Sequence, residues 1–303
     1  MINKVCLLII YNHRYDANIE KLERIYHSRF SNIYHIMPFY DGDLKNVIPV
    51  YECSFRFEGY VSQAIKHIKE RYEHYLFVGD DAILNPAINE DNYKEWFGLK
   101  ENSAFITFTK SLRGMKGWGI NRRFMDPFPK FERYHGTLWK DEIMPAEEAF
   151  KIAEKQGYEK DEFSMEVSMV WNARRTLKEY PWLIVMFFRT LLLGRKYSSY
   201  PIWGGYSDVF VIPGKDIDRV AHMLGVFAAM DLFVEEAIPT ALHLICDELI
   251  EEKDLKAKSR TLWGNAAREE LEEEYERNYQ SLSNQWKEDC LFIHPIKLSR
   301  WNM

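Results

Sequence analysis

The chain has 303 residues, of which 47% are hydrophobic and 28% charged, enough apolar material for a packed globular core. A formal net charge of -6 gives no general attraction to nucleic acid, and the sequence has no arginine-rich tract or RNA-stacking motif. We therefore expect no nucleic-acid partner. The four cysteines lie far apart and fit neither a zinc spacing nor a dense disulfide framework, which favours a reducing cytoplasm.

Two apolar segments bear on membrane association. The first, residues 5–11, lacks a small-residue cleavage site and runs directly into polar residues, which is typical of a buried strand. The second, residues 182–193, is shorter than the roughly 20 apolar residues of a spanning helix and contains Arg189. We predict a core helix there in a cytoplasmic protein. Peripheral contact with the inner membrane, helped by Arg195 and Lys196, stays open.

Strand and helix signals alternate through the first hundred residues. Apolar runs predict strands, and apolar residues spaced three and four apart predict the helices between them. This order is typical of βαβ units in an α/β fold. The predicted strands are residues 5–11, 33–40, 47–51, 75–79 and 104–108, with helical signals near residues 19–26 and 61–68.

The strand at residues 75–79 ends in two adjacent carboxylates, Asp80 and Asp81. In open parallel sheets, ligands bind outside the carboxyl ends of the strands. Two acids at such an end predict a divalent cation held against a phosphate, although a solvated Asp-Asp turn is the alternative.

The second half of the chain is less regular. Gly204 and Gly205 lead to Asp208 and a predicted strand at residues 209–212, which two predicted helices follow. The charged residues 251–276 indicate a pair of solvated surface helices. The basic loop at residues 113–123 is suited either to an anionic ligand or to simple solvation.

Four features occur in a fixed order along the chain: Gly79-Asp80-Asp81, Gly204-Gly205 leading to Asp208, Glu235-Glu236 opening a helix, and His294. Together they resemble the GT-A fold glycosyltransferases. The resemblance implies one GT-A-like domain over residues 1–303, with a Rossmann-type mixed sheet flanked by helices and helical additions. Residues 1–108 would form the nucleotide-sugar-binding half. Residues 109–303 would form the acceptor-binding half, with a helical insert and a C-terminal metal-ligand segment.

The resemblance also implies the metal site. Its members carry a DxD-type motif and a late histidine, so Asp81 and His294 are the expected ligands of Mn²⁺ or Mg²⁺. Gly79 departs from the motif because it stands at the first acidic position, which leaves Asp80 a role toward ribose or through water. Lys297 would reach a phosphate. A buried structural role for His294 and an ordinary exposed position for Lys297 are the alternatives.

A catalytic base is expected at Glu235 or Glu236. Glu235 is three residues before Ile238 and seven before Leu242, so a helix would turn it toward the buried side and turn Glu236 elsewhere. The GT-A resemblance also implies an xED motif, and a strict match to that motif instead selects its last acid, Glu236. A carboxylate at a helix start can accept a proton from an attacking hydroxyl, whereas its ordinary role is that of a plain helix-start acid.

The nucleotide pocket is expected at the carboxyl ends of the first two strands. Its residues would be Tyr11, Asn12 and Arg14 after the first strand and Asp41 after the second. Gly204 and Gly205 would let the backbone approach the donor closely, and Trp203 or Tyr206 would stack on a sugar ring.

These features predict a metal-dependent glycosyltransferase that moves a sugar from a nucleoside-diphosphate donor to the hydroxyl of a glycan or lipid-linked acceptor. Analogy favours bacterial surface-polysaccharide or glycoconjugate synthesis, and a base at the helix start favours inversion. A nucleotidyltransferase is one alternative, although residues 11–15 lack the glycine-rich basic loop that usually follows its first strand. A non-catalytic nucleotide- or sugar-binding protein of the same fold is the other.

Overall fold

The computed structural model describes residues 3–111, 139–158 and 200–303, which form a mixed α/β fold. The basic loop at 113–123 and the apolar segment at 182–193 lie outside the described residues. The described strands are β1 (Asn3–Ile10), β2 (Ile33–Pro38), β3 (Val47–Val50), β4 (Tyr72–Gly79), β5 (Ile83–Leu84), β6 (Ser103–Ile106), β7 (Thr109–Ser111), β8 (Trp203–Gly205), β9 (Val209–Pro213), β10 (Glu248–Glu251), β11 (Lys258–Thr261) and β12 (Cys290–His294).

A mixed central sheet organises the described part of the chain, with the strand order β10-β6-β9-β4-β1-β2-β3. β1 runs parallel to β2 and β4, β2 runs parallel to β3, and β6 runs parallel to β10. β9 alone among these seven strands is antiparallel to its neighbours, β4 and β6. The predicted α/β class with a mixed sheet is confirmed, and the structure adds that most neighbouring strands of this sheet are parallel.

Helices cover both faces of this sheet. The described α-helices are α1 (Ala17–Tyr26), α2 (Glu58–Ile65), α3 (Tyr93–Trp96), α4 (Trp139–Glu142), α5 (Ala146–Lys155), α6 (Ile217–Ala229), α7 (Val234–Ile245), α8 (Asn265–Glu274) and α9 (Tyr279–Asn284). Cys6 and Leu8 of β1 pack with α2, α6 and α7, whereas Leu7 and Ile9 pack with α1. Burial on both faces explains why β1 is apolar without alternation.

A smaller sheet, ordered β11-β12-β5, lies beside the acidic end of β4. β5 begins two residues after Asp81 and pairs antiparallel with β12, where Ile83 faces Ile293. The backbone N–H of Ile296 donates to the carbonyl of Asp81 at 2.7 Å. This register brings the end of β12, and with it His294, against Asp81.

The prediction of two surface helices over residues 251–276 is wrong. The segment holds the end of β10, a 3₁₀ turn at Glu252–Asp254, the strand β11 and the single helix α8. β11 is charged and half-exposed because it is the edge strand of its sheet, where charged side chains are common.

Strands from both sides of the predicted boundary at residue 108 belong to the same central sheet. Strands β9 and β10 come from the second half and complete the sheet that β1 to β4 and β6 begin. The assignment of donor and acceptor to separate halves stays a prediction. Within the described ranges, no helix combines the length and apolar character that crossing a membrane requires.

Candidate functional site

Two carboxylates and an imidazole converge where β4 ends and β9 begins. One ligand atom each from Asp81, Asp208 and His294 lies within 4.8 Å of the other two. His294 Nε2 is 3.2 Å from Asp81 Oδ1 and 3.6 Å from Asp208 Oδ1. These separations are short enough for the three side chains to bind one ion.

The antiparallel direction of β9 places Asp208 in this cluster. Val209 is paired with Val78, and the N–H of Gly79 donates to the carbonyl of Asp208 at 2.8 Å. The amino end of β9 therefore lies at the same sheet edge as the carboxyl end of β4. Sequence analysis noted Asp208 only as the end of a glycine loop and did not identify it as a ligand.

Gly79 faces the same cluster. A Cβ atom at this position would lie 3.5 Å from Asp81 Oδ1 and 3.7 Å from Asp208 Oδ1. The space that an acid at the first motif position would enter is thus bordered by the Asp208 carboxylate. Position 79 has no carboxylate of its own, and the carboxylate of Asp208 lies where a side chain at that position would point.

The charges of the cluster depend on one another. Burial alone would raise the pKa of Asp81, but the neighbouring His294 and Lys297 overcome this effect and lower it. Burial raises the pKa of Asp208, and the Asp81 carboxylate adds to that increase. Burial would lower the pKa of His294, yet Asp208 and Asp81 together raise it. The neighbouring positive charges therefore favour the ionised form of Asp81.

The donor set fits a divalent cation. Asp81 is only 4% exposed, and its Oδ1 lies 3.2 Å from His294 Nε2, so both potential ligand atoms face the cluster. Carboxylate oxygens with one imidazole nitrogen suit Mn²⁺ or another first-row divalent ion. Tyr206 contacts the second ring nitrogen, Nδ1, of His294. If Nδ1–H donates to the Tyr206 oxygen, Nε2 keeps its lone pair for a metal.

Asp80 points to a different environment from Asp81 and is not one of the three clustered ligands. Asn18 Nδ2 donates to its Oδ2 at 3.3 Å, and the backbone of Asn12 also hydrogen-bonds to it. Burial and the Asp81 charge raise the pKa of Asp80. Asn18, on the first turn of α1, is a neighbour that sequence analysis did not identify.

The residues predicted to hold the nucleoside lie together at the ends of β1 and β2. Arg14 pairs with Asp41 at 2.6 Å and also with Asp16, so an ion pair joins the two loops. The side chain of Tyr11 is fully buried and hydrogen-bonds to His35 Nδ1 at 2.8 Å. Because Tyr11 is buried, a ligand bound here would contact the exposed neighbours of Tyr11.

Gly204 and Gly205 are buried in β8, which pairs with β7. A Cβ on Gly205 would lie 2.4 Å from the carbonyl oxygen of Phe108, so close packing of backbone already requires glycine there. The expectation that Trp203 or Tyr206 stacks on a sugar is wrong, because both rings are buried. Trp203 stacks on His243 at 4.3 Å, and Tyr206 contacts His294.

The predicted orientation of the acidic pair is also wrong. Glu236 is fully buried, whereas Glu235 is partly exposed. Helix α7 is buried nearly all around, so its apolar residues do not define a single inner face. Burial raises the pKa of Tyr206, and Asp208, Asp81 and Glu235 add to the rise, which places Glu235 in the electrostatic surroundings of the metal cluster. The catalytic assignment itself stays a prediction.

No protein-family model matches the chain, and a comparison with curated proteins gives no match either. The class that the fold and the cluster define is therefore a mixed α/β protein with a candidate metal site of two aspartates and a histidine. This arrangement is compatible with a GT-A fold.

Proposed function

We propose that the chain is a metal-dependent glycosyltransferase that uses a nucleoside-diphosphate sugar as donor. The observation that carries the proposal is the convergence of Asp81, Asp208 and His294 at the sheet edge where the strands of such folds present their ligands. The GT-A resemblance in the order of the sequence motifs supports the same conclusion. The proposed setting is the cytoplasm, in surface-polysaccharide or glycoconjugate synthesis.

The three ligands would hold Mn²⁺, or Mg²⁺ in its place. A cation bound there supplies Lewis-acid stabilisation of the charge that grows on the leaving diphosphate. Lys297, whose ammonium lies against Asp81, adds a further positive charge beside the site. Tyr206 holds the imidazole of His294 in the orientation that ligation requires.

The nucleoside would lie over the ends of β1 and β2. There Asn12 and the Arg14–Asp41 ion pair border the edge of the sheet next to Asp80. Asp80 accepts hydrogen bonds from Asn18 and the Asn12 backbone, and its carboxylate is suited to accept one from a ribose hydroxyl.

Glu235 is the proposed base. It is partly exposed at the first turn of α7, while Glu236 is enclosed by the core and carries a pKa raised well above the ordinary value by burial. A carboxyl group that must accept a proton from an acceptor hydroxyl has to be reachable from the cleft. One carboxylate oxygen of Glu235, Oε2, is buried, but Glu235 is the less enclosed residue of the pair. Its charge also acts on Tyr206 beside the cluster, and both observations support Glu235.

The test is donor hydrolysis and transfer. The purified chain is incubated with UDP-, GDP- and dTDP-linked sugars and Mn²⁺, and release of nucleoside diphosphate is measured. We expect release with one donor class, its loss on chelation of the metal, and its loss in Asp81→Asn but not in the surface control Asp91→Asn. Formation of pyrophosphate from a nucleoside triphosphate and a sugar phosphate would instead support a nucleotidyltransferase. Binding without turnover of any donor would support a non-catalytic protein.

A further inference from the structure

The Lys297 side chain makes an ion pair that a metal site would have to break. Its Nζ contacts Oδ2 of Asp81, while Oδ1 of the same carboxylate faces His294 Nε2. The ammonium thus lies on one of the two oxygens through which Asp81 would bind a cation.

The two partners differ in their access to solvent. The Asp81 side chain is 6% exposed and the Lys297 side chain 41% exposed. A buried carboxylate needs a positive partner, because leaving its charge uncompensated is strongly destabilising. Lys297 supplies that partner from a half-exposed position, and its flexible stem lets the ammonium leave without rearranging the core.

We propose that Lys297 is a resident counter-ion of Asp81 that competes with the divalent cation and moves to the diphosphate when the nucleotide binds. This inference rests on the proposed metal site. While the ammonium holds Asp81, it blocks one oxygen and repels an incoming cation. When it moves to a phosphate, both obstacles are removed, so metal and nucleotide bind cooperatively.

The competition has a definite thermodynamic consequence. The apparent affinity for metal alone is reduced by the fraction of molecules in which Asp81 is free of Lys297. A nucleotide that draws Lys297 away raises that fraction. Because binding free energies are reciprocally coupled, the metal must strengthen nucleotide binding by the same factor.

The first test is a calorimetric titration of the full chain with Mn²⁺ alone. Lys297→Met removes the charge and keeps the approximate length, and we expect Mn²⁺ to bind on the order of tenfold or more tightly than in the wild type. Lys297→Arg keeps the charge and should leave the affinity weak. An unchanged or weaker affinity in Lys297→Met would overturn the proposal.

Two further variants control the interpretation. Lys215 is a matched control, because it is a 37% exposed lysine that pairs with Asp247 and lies near the buried Asp216, after the end of β9 away from the cluster. Lys215→Met should leave Mn²⁺ affinity unchanged. Adding Asp81→Asn to Lys297→Met should abolish the gain. A gain that survives Asp81→Asn would refute competition at this carboxylate.

Repeating the titration at a fixed concentration of UDP, and in a parallel series of GDP, tests the nucleotide half of the proposal. At least one nucleotide should tighten Mn²⁺ binding in the wild type, and the enhancement should be smaller in Lys297→Met. Equal enhancement in both chains would contradict transfer of Lys297 to the diphosphate. Neither titration requires catalysis, so a chain that passes both but transfers no sugar would disprove the proposed activity and leave the role of Lys297 standing.

Discussion

At the scale of single residues, the second carboxylate of the candidate metal cluster comes from position 208, whereas the sequence motif would place it at position 79. Asp208 borders the space that a side chain at Gly79 would enter. An acid moved from 208 to 79 should therefore direct its carboxylate into the same cluster. Positions 79 and 208 are thus alternative sources of one carboxylate.

This equivalence can be tested by exchange. Asp208→Ala removes a proposed direct ligand and should weaken Mn²⁺ binding by at least the roughly 10- to 100-fold that loss of an outer partner costs. Adding Gly79→Asp should recover much of the affinity, measured by calorimetry. The pair Gly79→Ala with Asp208→Ala supplies the Cβ without the carboxylate and should recover none. A double variant with Gly79→Asp that binds no better than Asp208→Ala alone would show that the exchange fails.

The acidic pair of α7 gives a second prediction at this scale. Glu235→Gln should bind donor and metal normally yet lower the transfer rate by roughly 10² to 10⁴, the usual cost of losing a general base. Glu236→Gln should transfer sugar at close to the wild-type rate, since Glu236 is enclosed in the core. Steady-state rates with separate donor-binding measurements check both. The reverse ranking would assign the base to Glu236, and two active variants would place it outside this pair.

At the scale of elements, the close contact between β8 and its surroundings explains the glycine at position 205. A Cβ on Gly205 would lie 2.4 Å from the backbone oxygen of Phe108 and 3.0 Å from the ring of Pro239. Gly205→Ala should therefore lower the free energy of unfolding by about 1–3 kcal/mol, as overpacking does. Chemical denaturation measures this. Gly79→Ala, whose Cβ meets its nearest neighbours at 3.5 Å or more, should cost less, and an equal cost would argue against the close packing at β8.

The first turn of α2 carries a fully buried acid, Glu58, whose pKa burial raises well above its ordinary value. The folded chain therefore binds this proton more tightly than the unfolded chain does. Stability contributed by the protonated form is complete below the ordinary glutamate pKa and is lost as pH rises through the raised pKa. Glu58→Gln should accordingly gain stability relative to the wild type as pH rises. Urea denaturation from pH 4.5 to 8 checks this, and a difference independent of pH would contradict it.

The sequence predicted the apolar strands β1 to β4, β6 and β9 and the acidic end of β4, because apolar runs and strand-end carboxylates are local signals. The direction of β9 is not local. Its residues are as apolar as those of β4, so the pattern does not reveal that its amino end meets Asp81 and brings Asp208 with it. The burial of Glu236 was not predicted, because α7 is buried on almost every side and its apolar pattern therefore does not identify one inner face.

At the scale of the whole molecule, the candidate site joins distant parts of the chain. Asp81 follows β4, Asp208 precedes β9 and His294 ends β12, and pairing between strands brings all three together. His294 was predictable as a ligand only through the resemblance, since a lone histidine in an apolar strand is ordinarily structural. The structure adds the register of β12 on β5 as the physical reason for its position.

The central claim is that this assembled cluster binds a cation that in turn binds a nucleoside diphosphate. The most direct measurement is calorimetric titration of the chain with UDP and GDP, with and without Mn²⁺, in the wild type and in Asp81→Asn. We expect Mn²⁺ to strengthen binding of one nucleotide in the wild type, and Asp81→Asn to abolish the gain while leaving the fold intact. Nucleotide binding of equal strength with and without Mn²⁺, or a gain that persists in Asp81→Asn, would contradict it.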